Sequence, residues 1–336
     1  IRMMRILTNT TKIERLLSSY AKVDVVRVRR IRELLSASDV NSYDIIYFAK
    51  YTPPLIDFGP RNYVSNKVKL VIGIHIPIKI DYVNRPHHIM HNLLMPIQAM
   101  HYLRKLRAYL HVLNKDDEEY LRRKASNALS DKIIYEPLFT DINIFKPGGK
   151  YDKFTVLYSS RASWQKGTDI AIKVLRKLIT KYGDKVQVKI NAYGPLTHLY
   201  SELKGYGNVE INDYMPINEY SRVLSESHVL LFTSRYESFG QLPLDALASG
   251  TLVVAFNVRG FIRDYVLKDS RLSKFIVDFG DVNGLVNRIV ELVNLWYGNE
   301  DEYLNIANYA RSFAEGFSID NIARLYVNMF MKVLGS

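Results

Sequence analysis

The sequence predicts an α/β protein of two doubly wound, parallel-sheet domains that face each other across a cleft. Three observations lead there. The chain has 336 residues, 48% of them hydrophobic and 24% charged, which fits an ordinary folded protein of two domains of roughly 150 residues each. Short, nearly continuous runs of β-branched and aromatic residues recur along its length, as strands covered on both faces require. Helical patterns lie between many of these runs, and that alternation implies parallel sheets joined by right-handed crossovers.

In the first half the strand runs are MMRILTN (3–9), VDVVRV (23–28), YDIIYFA (43–49), VKLVIGIH (68–75), YLHVLN (109–114) and KIIYEP (132–137). The second half supplies FTVLYSS (154–160), VQVKINAY (186–193), VEIN (209–212), HVLLFTS (228–234), TLVVAFN (251–257) and KFIVDF (274–279). Between the first two of these, Ile170, Ala171, Val174, Leu175, Leu178 and Ile179 form one helical stripe, with Thr168 as the expected N-cap and Gly183 as the stop. Pro147, Gly148 and Gly149 punctuate the chain at mid-length. The expected division is an N-terminal domain over 1–145, a C-terminal domain over 150–317, and a last helix over 318–336 with a pattern suited to packing back on the first domain.

Composition narrows the chemistry. There is no cysteine, so disulfide frameworks, thiol nucleophiles and thiolate metal sites are excluded. Apolar runs are broken well before the roughly 20 residues of a membrane-spanning helix. The opening IRMMRILTNT reads straight into a strand with no signal-peptide pattern. The expected location is cytoplasmic, with peripheral attachment to the inner membrane face as a variant of it.

Charge is unevenly spread. Residues 1–150 carry 25 Lys and Arg against 14 Asp and Glu, a net of +11, whereas residues 151–336 carry 21 against 20, a net of +1. The first half therefore suits an anionic partner (a membrane surface, a nucleic acid or a phosphorylated substrate) or is simply a solvated basic surface. NLLMPIQAMHYLRKLRAYLHVL, with Arg104, Lys105 and Arg107, reads either as a basic amphipathic helix lying on an anionic membrane or as a core helix with a solvated basic edge. No helix-turn-helix or RNA-binding signature supports a nucleic-acid partner.

Ligands of doubly wound sheets bind at the carboxyl ends of the strands, and three strand ends of the second half carry suitable groups. YSSRASWQKGTDIAI places Arg161 and Lys166 before Gly167 and a helix N-terminus. Two cations and free N–H groups there suit a diphosphate, although alone they are equally a pair of surface cations. SRYESFGQLPLDALASG places Glu237 on a loop and turns through Ser238, Phe239 and Gly240. It enters a helix near Gln241, with Asp245 about one turn in. The two carboxylates can accept paired hydrogen bonds from vicinal hydroxyls of a sugar or ribose; alternatively, Asp245 complements the helix dipole and Glu237 is solvated. NAYGPL ends its strand at Gly194-Pro195, a close-approach turn at the same edge or an ordinary strand-ending one. No G-x-G-x-x-G follows the first strand, and no phosphate loop, G-x-S-x-G, His-Glu-x-x-His or Asp-x-Asp occurs. A carboxylate-held metal at a sugar diphosphate is therefore not expected.

These residues resemble the family-four retaining glycosyltransferases of the GT-B fold, whose two domains are Rossmann-like. That family's pair of acids, separated by seven residues around Glu-Ser/Gly-Phe-Gly, is similar to ESFGQLPLD. Its Arg and Lys-Gly match Arg161 and Lys166-Gly167, its small residue-Gly before the next strand matches ASGTLVVAF, and its Phe-x-Pro crossing resembles YEPLFTDINIFKP. The resemblance covers about 135–290 well and the first half in outline.

It implies a metal-independent, retaining transfer of a sugar from a nucleoside diphosphate-sugar to an acceptor hydroxyl. Arg161 and Lys166 would hold the diphosphate, Glu237 the sugar hydroxyls and Asp245 the ribose. Gly194, Ser238, Phe239, Gly240 and Gln241 would line the donor site, and His75, ending VIGIHIP, would lie near the transferred sugar. No cofactor is implied beyond the donor. The acceptor would be a glycan, lipid-linked or protein, and a nucleic-acid acceptor is the weaker rival. The second acid here is Asp rather than Glu, LTNTTKIERL replaces the family's Gly-Gly loop, and VRGFIRDYV alters a second Gly-Gly. The other readings are a sugar-nucleotide epimerase or hydrolase on the same fold, and a basic membrane- or nucleic-acid-binding protein without catalysis.

Overall fold

The computed structural model describes residues 3–36, 39–51 and 67–335. The chain divides into two compact units, Ile1–Leu138 with Ile319–Ser336, and Phe139–Ser318.

The first unit is built on strands β1 (Met4–Thr8), β2 (Ala21–Val25), β3 (Ile45–Lys50), β4 (Lys69–Ile74), β5 (Tyr109–Val112) and β6 (Ile133–Tyr135). They pair in the order β2-β1-β3-β4-β5-β6, every pair parallel. Ile46, Phe48, Ile72 and Leu110 anchor one core between sheet and helices. The second strand starts earlier than its apolar run suggests, at Ala21, because Met4 pairs with Ala21 and Thr8 with Val25. The chain's last helix, Ile319–Gly335, belongs to this unit and buries Ile322, Ala323, Tyr326, Met329, Phe330 and Val333. Its Phe330 ring meets Tyr47 edge-on at 6.0 Å.

The basic segment of this unit does not form one helix. A helix runs over Pro86–Arg104, and Tyr109–Val112 is strand β5, held between β4 and β6. The break falls at Arg107, whose φ of 53° is left-handed, and the Ala108 N–H bonds back to the Tyr102 carbonyl. Sheet pairing of the buried Tyr-Leu-His-Val run outweighs continuation of the helix.

The second unit contains β7 (Phe154–Arg161), β8 (Val186–Tyr193), β9 (Val209–Asn212), β10 (Val229–Phe232), β11 (Leu252–Phe256) and β12 (Ile276–Val277). Their order is β12-β11-β10-β7-β8-β9, again parallel throughout. The chain builds outward from β7 through β8 to β9, then crosses to β10 on the other side of β7. That reversal makes the carboxyl ends of β7 and β10 the topological switch point, the place where such sheets bind ligands.

Two buried histidines couple the fold to pH. In the second unit His228 accepts the Thr155 N–H through Nδ1 at 2.9 Å and stacks on Phe154 at 4.8 Å. Burial, with Lys150 nearby, lowers it to about 3. In the first unit burial lowers His111 to about 4. Both folded values lie below the ordinary one near 6.5, so the unfolded chain takes up these protons first as pH falls. Their stabilisation is whole above about pH 6.5 and is lost toward pH 4 and below, on the order of 3 kcal/mol for each histidine. Urea unfolding at pH 7 and pH 4.5 should show a clear drop in midpoint at the lower pH; an unchanged midpoint would contradict neutral, buried histidines.

Candidate functional site

The two loops at the switch point of the second unit are locked to one another. β7 ends at Arg161, and the following helix, Thr168–Tyr182, starts from Gly167 in a left-handed conformation (φ 68°) with no side-chain cap. Thr168, the residue expected to cap it, lies inside the helix: its hydroxyl receives the Ser163 N–H at 3.0 Å and meets the Tyr158 hydroxyl at 3.1 Å. A Cβ at position 167 would fall 2.1 Å from the Thr233 carbonyl oxygen, so glycine is what lets this helix N-terminus abut the end of β10. From the other side the Thr233 hydroxyl reaches the carbonyl oxygens of Lys166 and Gly167, 2.9 and 3.0 Å away.

Arg235 completes the lock. Its guanidinium donates two 2.8 Å bonds to the Asp169 carboxylate and one of 2.6 Å to the Trp164 carbonyl, and it lies 4.4 Å over the Trp164 ring. Burial alone would raise the Asp169 carboxyl, but the hydrogen bonds and charge of Arg235 hold it below its ordinary value. A bidentate pair of this kind fixes orientation as well as proximity.

Lys166 and Glu237, from opposite loops, form an ion pair with Nζ to Oε1 at 2.5 Å, and Glu237 is buried. Arg161 stands exposed at the end of β7. Gly194 closes β8, where the Leu196 N–H bonds the Ala162 carbonyl at 3.1 Å and so seats this turn on the β7 loop. Phe239 turns its ring into the core, 5.6 Å from Phe261, while its carbonyl accepts the Phe261 N–H at 2.6 Å. Ser238 precedes it on the same loop. The helix Gln241–Ala248 then begins at Gly240 (φ 91°), again without a side-chain cap. The switch point thus presents two helix N-termini, each entered through a left-handed glycine.

Asp245 is buried one turn into that helix. Its Oδ1 accepts the Thr140 hydroxyl at 2.7 Å and the Gln241 amide at 2.9 Å. Gln241 also donates to the Phe139 carbonyl at 2.9 Å. Its amide therefore points at Asp245 and the chain crossing, and Gln241 and Thr140 orient the carboxylate. Thr140 and Arg235 are partners of these loops that the sequence does not single out. The Gln241–Asp245 contact follows helical i, i+4 spacing, but nothing in the sequence links Thr140 to Asp245, 105 positions away.

His75 belongs to the first unit, where it follows β4. Its Nε2 lies 3.2 Å from the Tyr47 hydroxyl, which lies 2.8 Å from His111 Nδ1, and His111 Nε2 lies 2.9 Å from the Glu136 carbonyl oxygen. The carbonyl only accepts, so His111 carries its proton on Nε2 and its Nδ1 accepts from Tyr47. The Tyr47 oxygen is then left to accept from His75 Nε2–H, which leaves Nδ1 of a neutral His75 as an acceptor. Burial, then His111 and Lys12, hold His75 well below its ordinary value. Gly73 provides the space, since a Cβ there would stand 2.1 Å from the Tyr47 oxygen.

The first loop of this unit, TNTTK, is held by side chains. Asn9 exchanges bonds of 2.7 and 2.9 Å with the Ala49 backbone, and Thr10 caps the helix Thr11–Leu17. Among the described residues no group of three or more His, Asp or Glu is placed to hold a metal ion.

A family model described as glycosyl transferases group 1 matches residues 140–313, over half of the chain and nearly all of the second unit. An uncharacterized 41.2 kDa protein in the cps region of Klebsiella pneumoniae is 28% identical over 180 residues, covering 53% of this chain and 46% of that one. The chain spans about half or less of the length of the curated relatives it matches. Among solved structures, the sucrose-phosphate synthase of Thermosynechococcus elongatus is similar with a TM-score of 0.75 at 15% identity, covering 99% of this chain and 100% of that one. The Anabaena HepE protein in complex with UDP and glucose is similar with a TM-score of 0.69 at 15% identity, covering 98% and 100%. At these identities the structural likeness is one of fold.

The histidine network gives a direct expectation. Tyr47→Phe removes the oxygen between the buried His111 and the half-buried His75 imidazoles and should cost about 2 kcal/mol of stability. It should also release His75 from a single tautomer, visible in long-range proton–nitrogen NMR spectra of the imidazoles. An unchanged His75 tautomer in that variant would contradict the assignment of protons made above.

Proposed function

The chain belongs to the glycosyl transferases group 1 family and has the GT-B fold, and we propose that it moves a hexose-type sugar from a nucleoside diphosphate-sugar to an acceptor hydroxyl. In this reading the transfer retains the anomeric configuration and needs no metal ion. The observation that carries it is the switch point of the second unit. Arg161 stands exposed at the last position of β7, and two uncapped helix N-termini, the Lys166–Glu237 ion pair and the buried Asp245 belong to the loops and helices that follow β7 and β10.

Each group has a chemical task. The helix N-termini, Arg161 and Lys166 meet the charge of the diphosphate, which grows as the bond from the sugar's anomeric carbon to the phosphate oxygen breaks. Glu237 accepts from hydroxyls of the transferred sugar. Asp245, oriented by Thr140 and Gln241, accepts from the ribose; Asp is one methylene shorter than the family's Glu, and those two bonds fix where its carboxylate sits. Ser238, Phe239, Gly240 and Gly194 contribute backbone to the same edge. Phe239 and Gln241 act by supporting the loop and Asp245. His75 lies in the first unit and stands outside this assignment.

Both carboxylates of the site are engaged, Glu237 by Lys166 and Asp245 by Thr140 and Gln241. With Glu237 held in its ion pair with Lys166, a front-face displacement fits better than a covalent intermediate. The acceptor oxygen bonds to the anomeric carbon on the side the diphosphate leaves, and its proton passes to the departing phosphate oxygen. The acceptor is a glycan, either lipid-linked or on protein. The UDP and glucose in the Anabaena structure support a sugar-nucleotide donor.

Thermal unfolding against UDP-, GDP-, ADP- and dTDP-glucose, with and without EDTA, tests the reading. A donor at a hundred times its dissociation constant adds about 2.7 kcal/mol and should raise the midpoint by several degrees. One base should do so, insensitive to EDTA, and Lys166→Ala should weaken that donor tenfold or more. Turnover of the donor without an acceptor would point to an epimerase or hydrolase instead, and no shift with any donor would point to a binding protein.

A further inference from the structure

The helix Pro86–Arg104 is apolar on both sides. Met95, Ala99, Tyr102 and Leu103 are buried in the first unit. On the other side Ile89, Met90, Leu93 and Ile97 keep 55%, 49%, 59% and 59% of their surface exposed. Ile89, Leu93 and Ile97 follow one another at i, i+4 and i+8, so they stack into one stripe with Met90 beside it. Helices at a protein surface normally turn polar residues to this side. A contiguous exposed apolar stripe marks contact with something apolar.

Charge selects the occupant. No Asp or Glu occurs between Asp81 and Asp116. Arg85 stands exposed at the start of the helix, Arg104 at its end, and Lys105 and Arg107 just beyond. Arg104, two turns after Ile97, continues the same face. A second copy of this chain would set these cations against like charges. An anionic bilayer accommodates both features, taking the stripe at the acyl boundary and the cations at the headgroups. No described helix is long and apolar enough to cross a membrane, so the geometry is that of a helix lying in the interface.

We propose that this face of the first unit docks on an anionic lipid surface through Ile89, Met90, Leu93 and Ile97, with Arg85, Arg104, Lys105 and Arg107 at headgroup level. The proposal is independent of the sugar-transfer reading and is tested without an activity assay. The full chain is sedimented with vesicles of phosphatidylcholine alone or mixed with phosphatidylglycerol, at low and high salt. Two variants accompany it, Leu93→Asp with Ile97→Asp, and Arg104→Glu with Lys105→Glu; circular dichroism and melting verify that each is folded.

The wild type should bind the mixed vesicles at least tenfold better than the neutral ones and release them in high salt. Each folded variant should lose at least tenfold in binding. If the first pair fails to fold, the second carries the test, since its positions are exposed and charged. Absence of vesicle binding, or binding unchanged in a folded variant, overturns the proposal. So does a wild-type dimer in light scattering that the Leu93→Asp, Ile97→Asp pair splits, which would give the stripe to a second copy.

Discussion

The candidate site depends on one close approach, the Gly167 backbone against the Thr233 carbonyl. It brings the N-terminus of the helix after β7 to the end of β10, and only a residue without a Cβ fits there. Strand order makes the approach possible, because β7 and β10 are parallel sheet neighbours, with Val156 opposite Val229 and Leu157 opposite Leu230. Thr233, Arg235 and Asp169 then hold the two loops in register. The Lys166–Glu237 ion pair is the consequence: a cation from one loop and a carboxylate from the other meet because their backbones are pinned. Such fixed charges are what a transfer reaction requires of a protein that contributes orientation and electrostatics.

Much of this was legible in the sequence, for a physical reason. Parallel strands are buried on both faces, so their apolar runs are continuous and all twelve strands among the described residues could be read from them. Arg161, Lys166, Glu237 and Asp245 could be gathered at one edge because each follows a strand's carboxyl end. Helix ends were less legible. Thr168 looks like a cap by composition, yet Gly167 takes that place because the neighbouring Thr233 carbonyl excludes a side chain. The basic segment after residue 92 carries a helical pattern and a strand run at 109–114 at once, and the strand run pairs in the sheet. Local pattern carries no information about which neighbour a segment will find.

Side-chain partnerships across long separations were not legible at all. Thr140 with Asp245, Arg235 with Asp169, and the chain from His75 through Tyr47 to His111 each join residues from different elements. The sequence marks none of them by spacing. Where the family that the sequence resembles has a Gly-Gly loop, Asn9 here ties the backbone to Ala49 and Thr10 caps a short helix. The residues differ because the loop is held by side chains rather than by glycine conformations.

We propose that the second unit's switch point holds a diphosphate. Calorimetric titration of the wild-type chain with UDP against UMP, and with GDP against GMP, isolates the second phosphate. For the recognised base the diphosphate should bind at least tenfold more tightly than the monophosphate, a difference of about 1.4 kcal/mol or more, and added salt should narrow the gap. Equal affinities within the recognised pair would contradict it, since the two helix N-termini with Arg161 and Lys166 would then contribute nothing to the phosphate they are proposed to hold.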